Sequence, residues 1–521
     1  MNSLRHALPS TSTGAEINRC TSLGFLAILG PLFILWLAAA LDCLPSPDGD
    51  SMIYVLSTIE YQRTGVARYI YFDVIDGGSD WFYPHGYLSQ IVHAAIAPWP
   101  GNSGIYVANL VIFVCFELLF LSLCLLAGVP CLVAIGTLLL SINYLTPSNF
   151  RPELLAAAII VAWLCCHLLA AKRANWRLIS NVIATVALAL LGVTQPTIAM
   201  LSAAFLSYAL WFDRGWRAII DIALIAIGSG IGAIAITEWV TGDFPRWFHL
   251  VLSHARSLDY WGSALDDYVF YYVTAPTSLL VGFSLLAAIG SFAVVHFAKA
   301  RNMANLADRV LLHGVAAMVL VMIYGIGPRN PYTIYNVALF APIVIALQWR
   351  NVQRLAQSWT RFFLVLAFGI GVTGSAASTF RNVIITATDL SRSDVVSWTQ
   401  IVARIDALRH ADSPFAIDEG FASAIEGDEK QHLVGVFSTG ILVTEVGEQH
   451  DVLQSKKIKA AACLLLLKQS NSGYETAPEI YGFDLIESHF VSAARPFGLI
   501  IYRTTKGYNY AVYRSVRQAC R

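Results

Sequence analysis

Charge is what this chain has least of. Only 13% of its 521 residues are Asp, Glu, Lys or Arg, while 56% are hydrophobic. A soluble domain carries about 25% charged residues, so an ordinary globular cytosolic protein is excluded. Net charge is missing too. The 34 basic residues balance 34 acidic ones, the pI is 7.2, and no nucleic-acid partner is indicated. The nine cysteines show neither metal-ligand spacing nor a disulfide framework. Cys115, Cys124, Cys131, Cys165 and Cys166 fall in apolar runs and read as small buried hydrophobes. Internal repeats and low-complexity tracts are absent. No A-x-A-like cleavage site follows the first apolar run, which is also too long for a signal-peptide core. It reads as a retained first span.

What the sequence does have is long apolar runs. From residue 22 to 380 we count about eleven of membrane-span character. They are 22–41, 104–126, 129–146, 153–171, 178–194, 197–212, 218–239, 276–298, 310–327, 336–349 and 362–380. With residues 1–21 as a cytoplasmic tail, the turns at 171–177, 213–217, 298–309 and 348–361 are cytoplasmic, and each is rich in Lys or Arg. The opposite segments, 42–103, 147–152, 240–275 and 328–335, are not, as the positive-inside rule requires. An odd number of spans places the C-terminus outside.

After residue 380 the pattern changes to short apolar runs between polar turns. Residues 391–410 have an amphipathic helical period, and 414–418, 461–467, 498–504 and 509–515 read as strands, the last two as a hairpin. The predicted architecture is a polytopic α-helical membrane domain over 22–380, followed by an extracytoplasmic α/β domain over 381–521. In that domain Cys463 either pairs with Cys520 or is a free buried thiol.

Loop 42–103 is too long for a mere connector. It carries Asp48, Asp50, Glu60, Asp73, Asp76, Asp80 and His85, and an aromatic cluster at 80–87 that includes Tyr83 and Tyr87. Residues 52–62, with Tyr54, are patterned as an amphipathic helix able to lie on the membrane surface. A loop aspartate is ordinarily a solvated carboxylate. Asp48 and Asp50 differ because they follow a span end by only a few residues. Arg151 and Glu153 open the fourth span on the same side. A carboxylate at the membrane edge needs a partner, so Glu153 is expected to face a polar cavity. Arg151 is either a snorkelling residue or part of that cavity. Gln195 sits in the outside turn TQPT, and Arg329 and Tyr332 in GPRNPYTIYN. A cation on the outside is best explained by an anionic ligand or an acidic partner. Segment 240–275, with His254, Arg256 and aromatics, has a lower functional claim.

Such a pocket suits a reaction between a lipid-borne anionic donor and a polar acceptor. A carboxylate can take a proton from the attacking hydroxyl. Arg or His can stabilise a phosphate leaving group, or a divalent cation (Mg, Mn or Ca) held by acids such as Asp50 and Glu153 can do so. Aromatic faces suit sugar rings.

In order and topology these motifs resemble the GT-C superfamily of integral-membrane glycosyltransferases, particularly the protein O-mannosyltransferase and aminoarabinose transferase branch. PDGD at 47–50 is similar to that branch's acidic motif after the first span; Tyr54 and a helix follow it. FYPHGYLSQIV (82–92), RPELLAAAI (151–159) and NPYTIYNVALFAPIVIAL (330–347) are similar to its later motifs. The resemblance covers roughly residues 20–380. It implies inverting transfer from a polyprenyl-phosphate-linked sugar to an extracytoplasmic glycan, lipid or protein, in a bacterial inner membrane. It also implies Asp48 as base or acceptor anchor, Glu153 as second acid and His85 near the donor phosphate. Two departures stand out. Gly49 separates Asp48 from Asp50, and Gln195 lies where some relatives have a lysine. Phosphate neutralisation would then fall to Arg151 and Arg329. The alternative is a transporter or lipid flippase, for which Glu117 and His313 are the notable intramembrane polar residues; each reads more simply as packing. A bare membrane anchor would not need so many spans.

Overall fold

A computed structural model describes residues 11–46, 49–67, 86–145, 147, 150–170, 176–249, 341–353 and 358–408. In the C-terminal domain it describes 415–418, 421, 433–436, 441–443, 449–451, 463–467, 479–480, 482–490 and 507–515. Twelve α-helices occur among the described residues. They are α1 (Thr11–Leu41), α2 (Gly49–Thr64), α3 (Leu88–Ile96), α4 (Asn102–Ala127), α5 (Cys131–Tyr144), α6 (Glu153–Ala170), α7 (Trp176–Thr194), α8 (Pro196–Arg214), α9 (Ala218–Thr241), α10 (Ala341–Gln353), α11 (Ser358–Ser391) and α12 (Trp398–Leu408).

Among the described residues, six stretches are long and apolar enough to cross a membrane. They lie in α1, α4, α6, α7, α9 with the short turn before it, and α11. Each coincides with an apolar run of the sequence, and the architecture is polytopic and helical. Runs 276–298 and 310–327 lie outside the described residues, and run 336–349 emerges only as α10. The run at 129–146 forms α5, whose 14 residues are about 21 Å of helix, short of a hydrocarbon core of about 30 Å.

Local sequence explains the helix ends. Gly128 adopts the left-handed conformation after α4 (φ 62°), and its N–H turns back to the carbonyls of Cys124 and Leu125. Pro196 starts α8, where its missing N–H costs nothing. Small residues let α7 and α9 approach closely: Cβ atoms at Gly228 and Gly232 would meet Thr185 and Ala189 at 2.9 and 3.0 Å. Leu23, Leu26 and Ile34 of α1 are exposed, as are Leu224 and Ile231 of α9. Phe113, Phe116 and Phe120 of α4 are fully buried in the bundle core. Within that core Glu117 is completely buried, its carboxylate oxygens 2.8 and 3.1 Å from the Ser141 hydroxyl on α5. This fits the packing reading of Glu117; His313 lies outside the described residues.

The cysteines depart from expectation. Cys20 near the start of the α1 span is disulfide-bonded to Cys131, the first residue of α5, across 111 residues of sequence. Cys131 is therefore not a simple hydrophobe, and Cys115 and Cys166 are exposed rather than buried. Helix packing, which sequence spacing does not encode, sets all three.

The C-terminal domain contains a six-stranded sheet in the order β2-β1-β5-β8-β7-β6. Its strands are β1 (Phe415–Asp418), β2 (Leu433–Val436), β5 (Cys463–Leu467), β6 (Glu479–Ile480), β7 (Phe483–His489) and β8 (Tyr510–Ser515). A separate two-stranded ribbon pairs β3 (Ile441–Val443) with β4 (Gln449–Asp451). β2, β1 and β5 run parallel; β8, β7 and β6 are antiparallel to their neighbours. Strands expected at 414–418, 461–467 and 509–515 are present as β1, β5 and β8. β8 lies between β5 and β7; the strand expected at 498–504, and with it the expected hairpin, lies outside the described residues. Cys463 takes part in a disulfide and is not a free thiol; Cys520 is outside the described residues. α12 buries Ile401, Ile405 and Leu408, the face predicted from its period.

Candidate functional site

The site is built at the end of the bundle that carries α2, α3 and the C-terminal sheet. There α1 closes with a Schellman-type arrangement. The Cys43 N–H reaches the Ala40 carbonyl (3.1 Å) and the Leu44 N–H the Ala39 carbonyl (2.8 Å). Glycine usually fills the left-handed position of this motif. Here Cys43 does, at φ 52°, a conformation that costs an L-residue about 1–2 kcal/mol. The Leu44–Pro45 peptide that follows is cis. Three tertiary hydrogen bonds hold the turn. Tyr508 Oη donates to the Cys43 carbonyl (2.8 Å), Tyr106 Oη to the Pro45 carbonyl (2.7 Å), and Ser46 Oγ to the Gly507 carbonyl (3.4 Å). Burial pushes the Cys43 thiol up to about 12.

Asp48 lies outside the described residues. Asp50 is the second residue of α2, where the helix dipole favours a carboxylate; its side chain is outside the described set. Tyr54 on α2 is buried, in the same aromatic and aliphatic cluster as Tyr87, Tyr106, Phe150 and Trp247. The Tyr106 ring meets Phe150 at 4.4 Å, edge to face. One tyrosine thus touches both the turn before Asp48 and the residue before Arg151.

Glu153 begins α6 and is 8% exposed. Its Oε1 lies 3.2 Å from Arg151 Nη2 and accepts from Gln195 Nε2 at 3.4 Å. Its Oε2 has no partner among the described residues, and neither has Gln195 Oε1. These contacts bring together Arg151, Glu153 and Gln195 from two turns 42 residues apart.

Gly86 joins the long loop to this group. A Cβ there would fall 2.0 Å from the Val193 carbonyl oxygen, so only glycine lets the backbone lie on the last turn of α7, two residues before Gln195. The next residue, Tyr87, is buried against the Trp247 ring at 6.3 Å. Burial drives its phenol well above the usual value, so it remains a hydrogen-bond donor. Tyr87 Oη and Trp247 Nε1 have no partner among the described residues. A buried polar atom left unpaired costs about 1–3 kcal/mol, and four of them lie around these two turns: Glu153 Oε2, Gln195 Oε1, Tyr87 Oη and Trp247 Nε1.

Tyr83, His85, Arg329 and Tyr332 lie outside the described residues. Tyr106, Trp247, Cys43 and Tyr508 were missed by sequence reasoning. Trp247 had a signal, its place in the aromatic-rich 240–275 segment; the others had none, because each acts through a tertiary contact. As a metal ligand Glu153 fits poorly, since Arg151 already neutralises it and its other neighbour is an amide. Among the described residues no group of three His, Cys, Asp or Glu could hold a metal ion.

No family model matches the chain, and no curated protein does. Solved structures do. One is the Archaeoglobus fulgidus oligosaccharyltransferase in complex with zinc and sulfate, with 12% identity over 83% of this chain and 68% of that chain, and a TM-score of 0.41. Another is ArnT from Cupriavidus metallidurans bound to undecaprenyl phosphate, with 12% identity over 95% of this chain and 99% of that chain, and a TM-score of 0.40. ArnT in the apo state is similar at 13% identity over 96% and 98%, with a TM-score of 0.39.

Proposed function

We propose that this chain is a membrane glycosyltransferase that moves a sugar from a polyprenyl-phosphate donor to an extracytoplasmic hydroxyl acceptor, with inversion at the anomeric carbon. The proposed setting is a bacterial inner membrane, with the N-terminus cytoplasmic and the C-terminal domain outside. One observation carries the reading. The buried carboxylate of Glu153 is anchored through one oxygen by Arg151 and Gln195, and its other oxygen has no partner among the described residues.

In this mechanism Asp48, or Asp50 beside it, takes the proton of the acceptor hydroxyl as that oxygen bonds to the anomeric carbon. The bond from this carbon to the phosphate oxygen breaks, and its electron pair stays on the phosphate. Arg151, Arg329 and His85 neutralise the charge that develops there. Glu153 orients the sugar through a hydrogen bond from one of its hydroxyls. Tyr54, Tyr83, Tyr87 and Tyr332 supply aromatic or hydroxyl contacts. A divalent cation, where one is used, belongs with Asp48 and Asp50 rather than with Glu153.

The isoprenoid part of the donor also has a fitting surface. A groove of about 280 Å3 runs between α7, α8 and α9. Gly192 and Ala199, a turn below Gln195 on either helix, line it together with Ala203, Gly230 and Ala233. Small apolar residues make room there for a branched hydrocarbon beside the polar group.

The test is incubation of the purified full chain with labelled polyprenyl-phosphate sugars and a membrane extract as acceptor. Transfer by the wild type is expected, and Asp48→Asn and Glu153→Gln should each lower it by about 100-fold or more. Full transfer by normally expressed Asp48→Asn would remove that residue as the base.

A further inference from the structure

We propose that the C-terminal domain positions the acidic turn, with Tyr508 as the residue that holds it. The catalytic consequence rests on the function proposed above; the structural claim does not.

Three observations carry it. The first is where the contact falls. Tyr508 Oη and the Gly507 carbonyl meet Cys43 and Ser46, more than 460 residues away in sequence. Ser46 stands two residues before Asp48 in the sequence. The second is that this turn needs holding. Cys43 occupies a left-handed conformation without being glycine, and such a conformation persists only where surrounding contacts determine it. Tyr508 supplies one of those contacts at the Cys43 carbonyl itself. The third is that Tyr508 is rigidly seated. Its side chain is fully buried, with Trp398 at 5.3 Å and Phe421 at 6.0 Å. Two residues later the chain enters β8, which lies between β5 and β7. Arg404 of α12 pairs with Glu487 of β7, which also accepts from Tyr510 Oη at 2.8 Å. The clamp is therefore anchored in the whole domain.

A domain merely resting on the bundle would make contacts anywhere along the interface. Here two hydrogen bonds converge on Cys43 and Ser46, between the first span and the acidic pair, and Tyr106 of the bundle supplies a third from the other side.

The experiment uses the full-length protein in lipid nanodiscs and its Tyr508→Phe variant, which keeps the ring and loses only the hydroxyl. Hydrogen–deuterium exchange of the peptide spanning 42–56 should rise by roughly tenfold in rate, the scale of one lost hydrogen bond to a buried carbonyl. Exchange in β5 and β8 should stay unchanged. Ser46→Ala, which cuts the link from the bundle side, should raise exchange in the same peptide. Unchanged exchange at 42–56 in both variants would overturn the clamp, and so would a rise spread evenly over the C-terminal domain. Transfer measured in parallel should show kcat lowered by roughly tenfold with KM for the donor unchanged. Raised KM at unchanged kcat would overturn the positioning role. Absence of transfer by the wild type would instead defeat the proposed function, leaving exchange to decide the clamp.

Discussion

Gly86 lies directly on Val193: a methyl group added to the glycine would sit 2.0 Å from the carbonyl oxygen of α7's last turn. This contact fastens the end of a loop that begins at residue 42 to the turn that carries Gln195. It makes one region of two stretches that the sequence keeps more than a hundred residues apart.

Gly86→Ala should therefore be costly, because the obstacle is backbone and cannot rotate away. Overpacking of this kind costs about 1–3 kcal/mol. We expect a lower thermal midpoint in detergent and loss of transfer, with helix content unchanged by circular dichroism.

Arg151 and Glu153 should behave as a coupled pair. Glu153→Gln leaves Arg151 without its carboxylate, and Arg151→Met leaves a buried carboxylate without its cation. Each single change should destabilise, and the double variant should lose less than the sum. Because Arg151 remains partly exposed, the expected coupling is about 1–2 kcal/mol, measured by chemical unfolding of all four proteins.

Tyr87→Phe separates binding from stability. Its hydroxyl is buried and has no partner among the described residues, so removing it should raise stability, by up to about 1–3 kcal/mol. Where a substrate hydroxyl meets that oxygen, KM for the sugar donor or the acceptor should rise several-fold while the thermal midpoint rises rather than falls.

Cys43 should be inert to maleimides in the folded protein. The thiolate is the reactive form, and burial raises this thiol to about 12, so it stays protonated across the working range. Raising the pH from 7 to 9 increases labelling of an ordinary thiol, whose pKa is about 8.5. Labelling of Cys43 should remain flat over that interval and appear only after denaturation. Mass spectrometry of the labelled peptides checks both.

Much of this was legible in order along the chain. Apolar runs of span length fix where helices cross, since a bilayer leaves a polar backbone no other way to be satisfied. Each of the six spans found among the described residues coincides with such a run. Beyond residue 380 the changed period matches α12 and strands of the sheet, although α11 itself runs on to Ser391. Glu153 was singled out because a carboxylate at a membrane edge demands a partner, and its partners are Arg151 and Gln195.

The tertiary structure alone decided the rest. That Tyr106 holds Pro45 and packs on Phe150, that Tyr508 reaches Cys43, and that Cys20 meets Cys131 are facts of helix and domain packing. A tyrosine in a span or strand has the same local signature whether its hydroxyl faces water or a carbonyl hundreds of residues away. The neighbours of β8 had no local signature either. Strand propensity is local, but the edges of β8 went to β5 and β7, and pairing partners in a sheet are chosen by the fold around them. Composition and period determined that this is a membrane bundle with an appended sheet. Long-range hydrogen bonds and close backbone contacts decided which of its polar residues meet.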